Sequence, residues 1–359
     1  MRYFVIHTVP KSLISKYNTS IAGGNFCVNM INTGIFDKTY SILSTNVYGY
    51  DDPLVMDDME VVYSKLRSKF FFTRVLGMFA EQIKLFFKIK RGSDVWLYNE
   101  EITSGLLHLL LMLFKPSVRV YILLADFTPG TKVNNRMIKL INRAKGLITL
   151  SDSTLFMVEN KVIMPGLVPT DETYPTIPKP IKRNFLISGA IRERIASISL
   201  LMETFSKMPD YTLNISGKLN TEAGIEDKVK AYTSKYPNII YHGVVSFEEF
   251  KILLDSNTFI FSTRDPSFPE NQCNFPSKIL EALLHNRVII STIHYNQLAG
   301  VKYFEVPHDA EGFAHAVKEI VAMSDDELSD YCNQSELVMK SFSPEQWRKC
   351  VETIEKNRK

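Results

Sequence analysis

Asn274-Phe275-Pro276-Ser277-Lys278-Ile279-Leu280-Glu281 combines an anion-binding group and a hydroxyl-binding group within one turn of an apolar helix. A helix start presents free N–H groups and positive dipole to an anion. Ser277 and Lys278 stand at that start, and Lys278 adds a mobile point charge. Glu281 follows one turn later and can accept from a pair of hydroxyls, as acidic residues do on ribose in dinucleotide sites. Asn274 closes the loop before them. The chemistry implied is recognition of a phosphorylated, sugar-bearing ligand.

Such a segment needs a strand before it and a sheet around it. Thr258–Phe261 reads as that strand, Ser277–His285 as the helix and Val288–Ser291 as the next strand. Upstream, Asn184–Ser188, Tyr211–Ser216 and Ile239–His242 read as strands, each followed by a glycine: Gly189, Gly217 and Gly243. Helices are expected at Ile195–Lys207, Glu222–Lys235 and Phe247–Asp255, and from Asp325 onward. Glycine at a strand end lets backbone approach a ligand. Arg192, Arg194 and Lys218 follow two of these glycines, at the edge where open α/β sheets bind ligands. Solvated arginines in a plain βα turn are the competing reading.

This half resembles the nucleotide-sugar-binding domain of GT-B glycosyltransferases of the family 4 type. The matching residues are Phe185–Gly189, Leu213–Gly217, Tyr241–Val245, Phe275–Ala282 and Val288–Thr292, of which Pro-Ser-Lys-x-x-Glu is the most specific. The resemblance implies two Rossmann-like parallel-sheet α/β domains facing a central cleft. It implies a UDP- or GDP-sugar donor, with Arg192 and Arg194 on the diphosphate and Glu281 on the ribose. It also implies a retained anomeric configuration. A second glutamate expected eight residues before Glu281 is replaced by Cys273, and Glu270 is the nearest carboxylate. The resemblance fades toward Trp347, where such proteins carry a helix that crosses back to the first domain.

The first half repeats β-α-β, so a parallel sheet is expected there too. Strands are read at Arg2–Val9, Tyr40–Leu43, Glu60–Tyr63, Asp94–Tyr98, Val118–Ala125, Gly146–Leu150 and Lys161–Met164. Helices are read at Thr103–Phe114, at Asn135–Lys145 and from Ser151, which reads as an N-cap. Gly23 and Gly24 after the first strand read either as a phosphate-approaching loop or as a plain βα turn. Asp126 either orients an acceptor hydroxyl, as a catalytic residue, or caps the turn Asp-Phe-Thr-Pro-Gly. Asn99, Glu100 and Glu101 share that ambiguity. Pro169, Pro175, Pro178 and Pro180 mark a linker. The domains are therefore read as 1–170, a linker at 171–182, a donor domain at 183–340 and a returning helix at 341–359.

Residues 64–91 are rich in lysine, arginine and phenylalanine, with Glu81 the only acid. On a helical wheel Arg67, Arg74, Glu81, Lys84, Lys88 and Arg91 share an arc of roughly 120°, with most phenylalanines opposite. That pattern fits a helix on an anionic membrane surface, or equally a core-packed helix with a solvated basic face.

The 359 residues allow two domains, and 45% hydrophobic with 23% charged is ordinary for a soluble protein. A formal charge of +3 gives no argument for nucleic acid. Scattered cysteines without a C-x-x-C pair argue against a zinc site or a disulfide framework. No Asp-x-Asp pair is present to hold a divalent ion, so neither metal nor cofactor is expected. Tyr3–Ile6 is too short for a signal-peptide core. The expected location is cytoplasmic, peripheral on the inner face of the plasma membrane. The leading function is transfer of a sugar to a glycan or lipid-linked acceptor in surface polysaccharide or glycolipid synthesis, such as lipopolysaccharide or capsule. The alternatives are a sugar-nucleotide epimerase of the same architecture and a non-catalytic binding subunit.

Overall fold

A computed structural model of the chain describes residues 1–219, 224–298 and 300–357. The chain divides into two compact units. The first comprises Met1–Leu167, Cys273–Phe275 and the chain from Pro344 onward; the second comprises Val168–Gln272 and Pro276–Ser343.

In the first unit the strands are β1 (Arg2–Ile6), β2 (Lys38–Ser41), β3 (Val55–Met56), β4 (Met59–Val61), β5 (Asp94–Tyr98), β6 (Arg119–Leu124), β7 (Gly146–Thr149) and β8 (Lys161–Ile163). They lie in the order β3-β4-β2-β1-β5-β6-β7-β8. Every pairing is parallel except β3 with β4. That edge hairpin turns at Asp57 and Asp58, whose φ angles of 53° and 58° suit a tight two-residue turn. Helices α1 (Ile21–Asn32), α2 (Phe71–Lys88), α3 (Ile102–Phe114) and α4 (Lys132–Ile141) connect the parallel strands. Val95, Trp96 and Leu97 are fully buried, as an uninterrupted apolar run in a central parallel strand requires. The C-terminal helix Pro344–Lys356 packs on this unit. Trp347 Nε1 donates to the Gly166 carbonyl at 2.7 Å, and Glu355 accepts from Trp96 Nε1 at 3.0 Å and pairs with Arg2 at 2.7 Å.

Several sequence expectations change here. Gly23 and Gly24 lie in the first turn of α1, not in a loop, and Ser20 caps that turn by accepting from Gly23 N at 3.1 Å. A Cβ on Gly24 would lie 2.6 Å from Ile14 Cδ1, so this glycine serves close packing. No helix starts at Ser151; its hydroxyl instead donates to the Cys273 carbonyl.

The membrane-facing arc is also corrected. Arg67 precedes α2 and is 1% exposed, and Glu81 on α2 faces inward. The two form an ion pair at 2.9 Å, and Arg67 also donates to the carbonyls of Leu43, Ser44 and Val47. Burial raises the Glu81 pKa, against the pull of Arg67. Gly77 makes this packing possible, because a Cβ there would sit 2.7 Å from Arg67 N. Arg91 lies beyond the end of α2, while Arg74, Lys84 and Lys88 remain on it.

The second unit contains β9 (Asn184–Ile191), β10 (Thr212–Leu219), β11 (Ile239–Tyr241), β12 (Phe259–Ser262), β13 (Val288–Ser291) and β14 (Phe304–Glu305). The order β11-β10-β9-β12-β13-β14, all parallel, is the doubly wound 3-2-1-4-5-6 arrangement. Its core stacks Phe185 on Phe259 and Phe261, with Phe205 edge-on. The expected helix at Ile195–Lys207 is broken at Ser197, whose φ is +41°. The expected helix at Glu222–Lys235 begins at Ile225; Glu222 itself lies outside the described residues. Ala310–Ala322 forms a helix that is not among the expected elements. The proline-rich segment buries Ile177 and Ile181 in this unit's core.

Arg67→Ala strands the Glu81 carboxylate and three carbonyls in the interior. The first unit is expected to lose about 3–5 kcal/mol of stability, measured by urea unfolding followed by circular dichroism.

Candidate functional site

In a 3-2-1-4-5-6 sheet the strand order reverses between the first and fourth strands, here β9 and β12, and ligands bind outside the carboxyl ends at that point. The groups singled out from the sequence gather there. Gly189 and Gly217 do not end their strands. They sit opposite each other within the β9–β10 ladder, which runs on to Ile191 and Leu219. Their φ angles are +114° and +132°, a region open to glycine. A Cβ on Gly217 would overlap the Gly189 carbonyl, and a Cβ on Gly189 would overlap Lys278 Nζ. Gly189 therefore lets the Lys278 side chain lie against bare backbone, while Gly217 lets the Gly189 carbonyl approach its own backbone. Gly243 follows β11, and its carbonyl accepts from Gly217 N at 2.7 Å.

Lys278 opens the short helix Lys278–Leu284, and Ser277 before it makes no side-chain capping bond. Lys278 and Glu281 are half-buried. Burial lowers the Lys278 pKa to about 8, with Glu281 opposing the shift and Arg264 reinforcing it. Burial likewise raises the Glu281 carboxyl above its usual range, against the pull of Lys278. Both groups are thus displaced toward neutrality, so desolvation outweighs their mutual attraction. Among the described residues, neither side chain makes a hydrogen bond or ion pair within 4 Å. Buried, displaced titratable groups of this kind mark a candidate functional site.

Arg192 and Arg194 follow β9. Their Nε atoms are buried without a hydrogen-bond partner. Arg194 pairs with Glu270 at 3.2 Å. The loop after β12 holds this pair in place: Asn271 Nδ2 donates to the carbonyls of Arg194 and Asp265 at 2.9 Å and 2.8 Å. Lys218 is exposed on β10 beyond Gly217.

Three neighbours escaped the sequence reading. Arg264 follows β12 and acts electrostatically on Lys278; the basic-residue-after-a-strand rule applied to Arg192 would have found it. Tyr174, from the proline-rich segment, feels the Glu281 charge and packs against His285 with ring centroids 5.0 Å apart. Tyr295, buried after β13, feels Arg264. No sequence signal brings Tyr174 here, because long-range packing places it.

The remaining candidates belong to the first unit. Asn274 Oδ1 accepts from Phe127 N at 2.7 Å. Cys273 is buried beside Ser153, 3.5 Å from its hydroxyl. Asp126 is exposed after β6, and its N–H donates to Asn99 Oδ1 at 3.2 Å. Asn99 adopts φ +48° and also accepts from Ala125 N at 2.7 Å, so it shapes the end of β6. Glu101 caps α3 through a capping box with Ser104. Glu100 is buried 3.4 Å from His108. Among the described residues no group of three or more His, Cys, Asp or Glu side chains is arranged to hold a metal.

No protein-family model matches the chain, and no curated protein matches its sequence. Solved structures do match its fold over nearly the whole length. The lipopolysaccharide outer core galactosyltransferase WaaB in its apo form aligns with TM-score 0.66 at 14% identity, covering 99% of both chains. HepE from Anabaena in complex with UDP aligns with TM-score 0.68 at 13% identity, covering 98% of both. The trehalose-6-phosphate synthase OtsA aligns with TM-score 0.67 at 10% identity, covering 99% of both. These neighbours are GT-B glycosyltransferases, and the chain has their two-domain Rossmann-like fold.

The two glycine types predict different costs. Gly217→Ala drives a Cβ into the Gly189 backbone carbonyl on top of backbone strain and is expected to cost about 2–4 kcal/mol. Gly243→Ala meets no atom within 4 Å and is expected to cost about 1–2 kcal/mol. Urea midpoints of the two variants measure the difference.

Proposed function

We propose that this chain is a glycosyltransferase that takes its sugar from a UDP- or GDP-sugar. The observation that carries the reading is the Lys278–Glu281 pair. Both side chains are half-buried and, among the described residues, make no hydrogen bond or ion pair, and Lys278 lies against the bare Gly189 backbone at the sheet's switch point. A nucleoside diphosphate sugar supplies what both lack: diphosphate charge for Lys278 and ribose hydroxyls for Glu281. Arg192 and Arg264 add donors for the charge that develops on the leaving diphosphate. That arrangement needs no divalent ion. Ser277 and Lys218 flank the phosphates. The solved complex of HepE with UDP supports the choice of nucleotide, and WaaB supports surface-glycan chemistry with a glycan or lipid-linked acceptor. Retention of anomeric configuration and a catalytic or orienting role for Asp126 belong to the same proposal. So does a cytoplasmic location, since Cys27, Cys273, Cys332 and Cys350 are free thiols, as a reducing compartment keeps them.

One observation favours a second reading, a donor-binding subunit without turnover. Cys273 stands where a donor-sugar glutamate is expected and is buried, while Glu270 is held by Arg194. Nucleotide release from a panel of UDP- and GDP-sugars, with and without lipid-linked acceptor, separates the two. Binding without release on any acceptor favours the subunit, and epimer formation without acceptor would favour an epimerase.

Lys278→Ala and Glu281→Ala are each expected to weaken UDP or GDP binding at least tenfold in calorimetry while leaving the far-ultraviolet spectrum unchanged. Wild-type affinity in both variants would sink the site assignment.

The pH dependence carries a sign. With a Lys278 pKa of about 8 in the folded protein against 10.5, the unfolded chain holds the extra proton between those values. This group's contribution to stability therefore rises with pH across that window. Anion affinity moves the other way, because only the ammonium form pairs with diphosphate. Nucleotide affinity is expected to fall by up to about tenfold per pH unit above pH 8, with proton uptake on binding near pH 8. Lys278→Ala should abolish both effects.

A further inference from the structure

The outward faces of α2 and α3 are apolar where a soluble surface would be polar. On α2, Phe72 is 80% exposed, Leu76 60%, Ile83 43% and Phe87 74%. Their spacing places them on one side of the helix. Met78, Glu81, Gln82 and Leu85 occupy the buried side. The neighbouring α3 carries no charged residue in its thirteen positions, and its exposed stripe includes Leu109 at 39% and Leu113 at 68%. Together these side chains form an exposed apolar patch on the order of several hundred Å², larger than a solvated monomer surface ordinarily keeps.

The exposed charges that residues 64–91 bring to the patch have one sign, and the one exposed acid on α3 is Glu101 at its N-cap. Glu81 is the only acid between residues 64 and 91, and it is buried against Arg67. Lys69, Lys84, Lys90 and Arg91 are exposed at the margin. Neither helix is built to cross a bilayer: among the described residues no helix is long and apolar enough. An apolar face with a basic margin, lying flat, fits the boundary between acyl chains and anionic headgroups.

We propose that the α2–α3 face of the first unit docks on an anionic lipid bilayer, inserting Phe72, Leu76, Phe87 and Leu113 while the basic margin meets the headgroups. Of the basic arc on the helical wheel, Arg67 is buried, and Phe72, Leu76 and Phe87 are left facing outward. Charge argues against a second copy of the chain on this face. A two-fold interface would bring the basic margin of α2 against its own copy, with like charges opposed across it. The inference stands apart from the donor-site reading, because none of these residues belongs to that site.

Co-sedimentation of the full chain with vesicles tests it. Wild-type protein should bind phosphatidylcholine vesicles containing phosphatidylglycerol at least tenfold more tightly than phosphatidylcholine alone, and added salt should weaken that binding. The variant F72S/L76S/F87S should lose at least tenfold in affinity for the anionic vesicles. The variant K69Q/K84Q/R91Q should lose the preference for anionic lipid. All replaced side chains are exposed, and UDP affinity measured in parallel should be unchanged in both variants if wild-type protein binds UDP. Wild-type protein that ignores anionic vesicles overturns the proposal. So does vesicle binding that survives in F72S/L76S/F87S, or a wild-type dimer in light scattering that the same variant makes monomeric without changing vesicle binding.

Discussion

The second unit depends on two facing glycines. A parallel ladder ordinarily fills both faces with side chains, which leaves no room for a third group at its edge. At Gly189 and Gly217 the β9–β10 ladder carries none, and both residues take φ values that a Cβ resists. The hydrogen bonds continue past them, so the sheet keeps its register while its surface is laid bare. Lys278 occupies the space this creates. Without it, the lysine would need another path, and the basic groups after β9 and β12 would lose their common focus.

The electrostatics follow from that confinement. A lysine and a glutamate one turn apart on an exposed helix would keep their ordinary ionisation and attract weakly. Here withdrawal from water dominates, and the two shifts run in opposite directions, each toward the uncharged form. Arg264 adds a like charge near Lys278. Groups held this way lie away from their electrostatic optimum, which is the property the proposed donor site rests on. Arg194 shows the contrasting case, with its charge already answered by Glu270.

In the first unit, one buried ion pair reorganises an entire surface. Arg67 ties the turn after β2 to α2 through three carbonyls and Glu81. Once Glu81 points inward, the rotation of α2 about its axis is set, and Phe71, Phe72 and Phe87 turn outward. Periodicity identified the amphipathic helix but could not choose which side is buried, because a charged side chain with a partner of its own can enter a core. The partner here, Arg67, precedes the helix, so a wheel that counts it as helical cannot place it.

The sequence by itself determined the alternation of strands and helices, the two α/β halves and the lysine and glutamate of the candidate site. Asp94–Tyr98 and Val288–Ser291 have the bounds their apolar runs indicate, because burial on both faces is written into a central parallel strand. The Pro-Ser-Lys-x-x-Glu spacing is equally local, since helical geometry alone puts Lys278 and Glu281 on one side. Only the tertiary structure decided the rest. It turned Gly189 and Gly217 from strand ends into a facing pair, moved Gly23 and Gly24 into a helix, brought Tyr174 toward the site and buried Arg67. Each of these depends on contacts between segments far apart in the chain, and a local pattern carries no information about which distant group will fill or empty the space beside it.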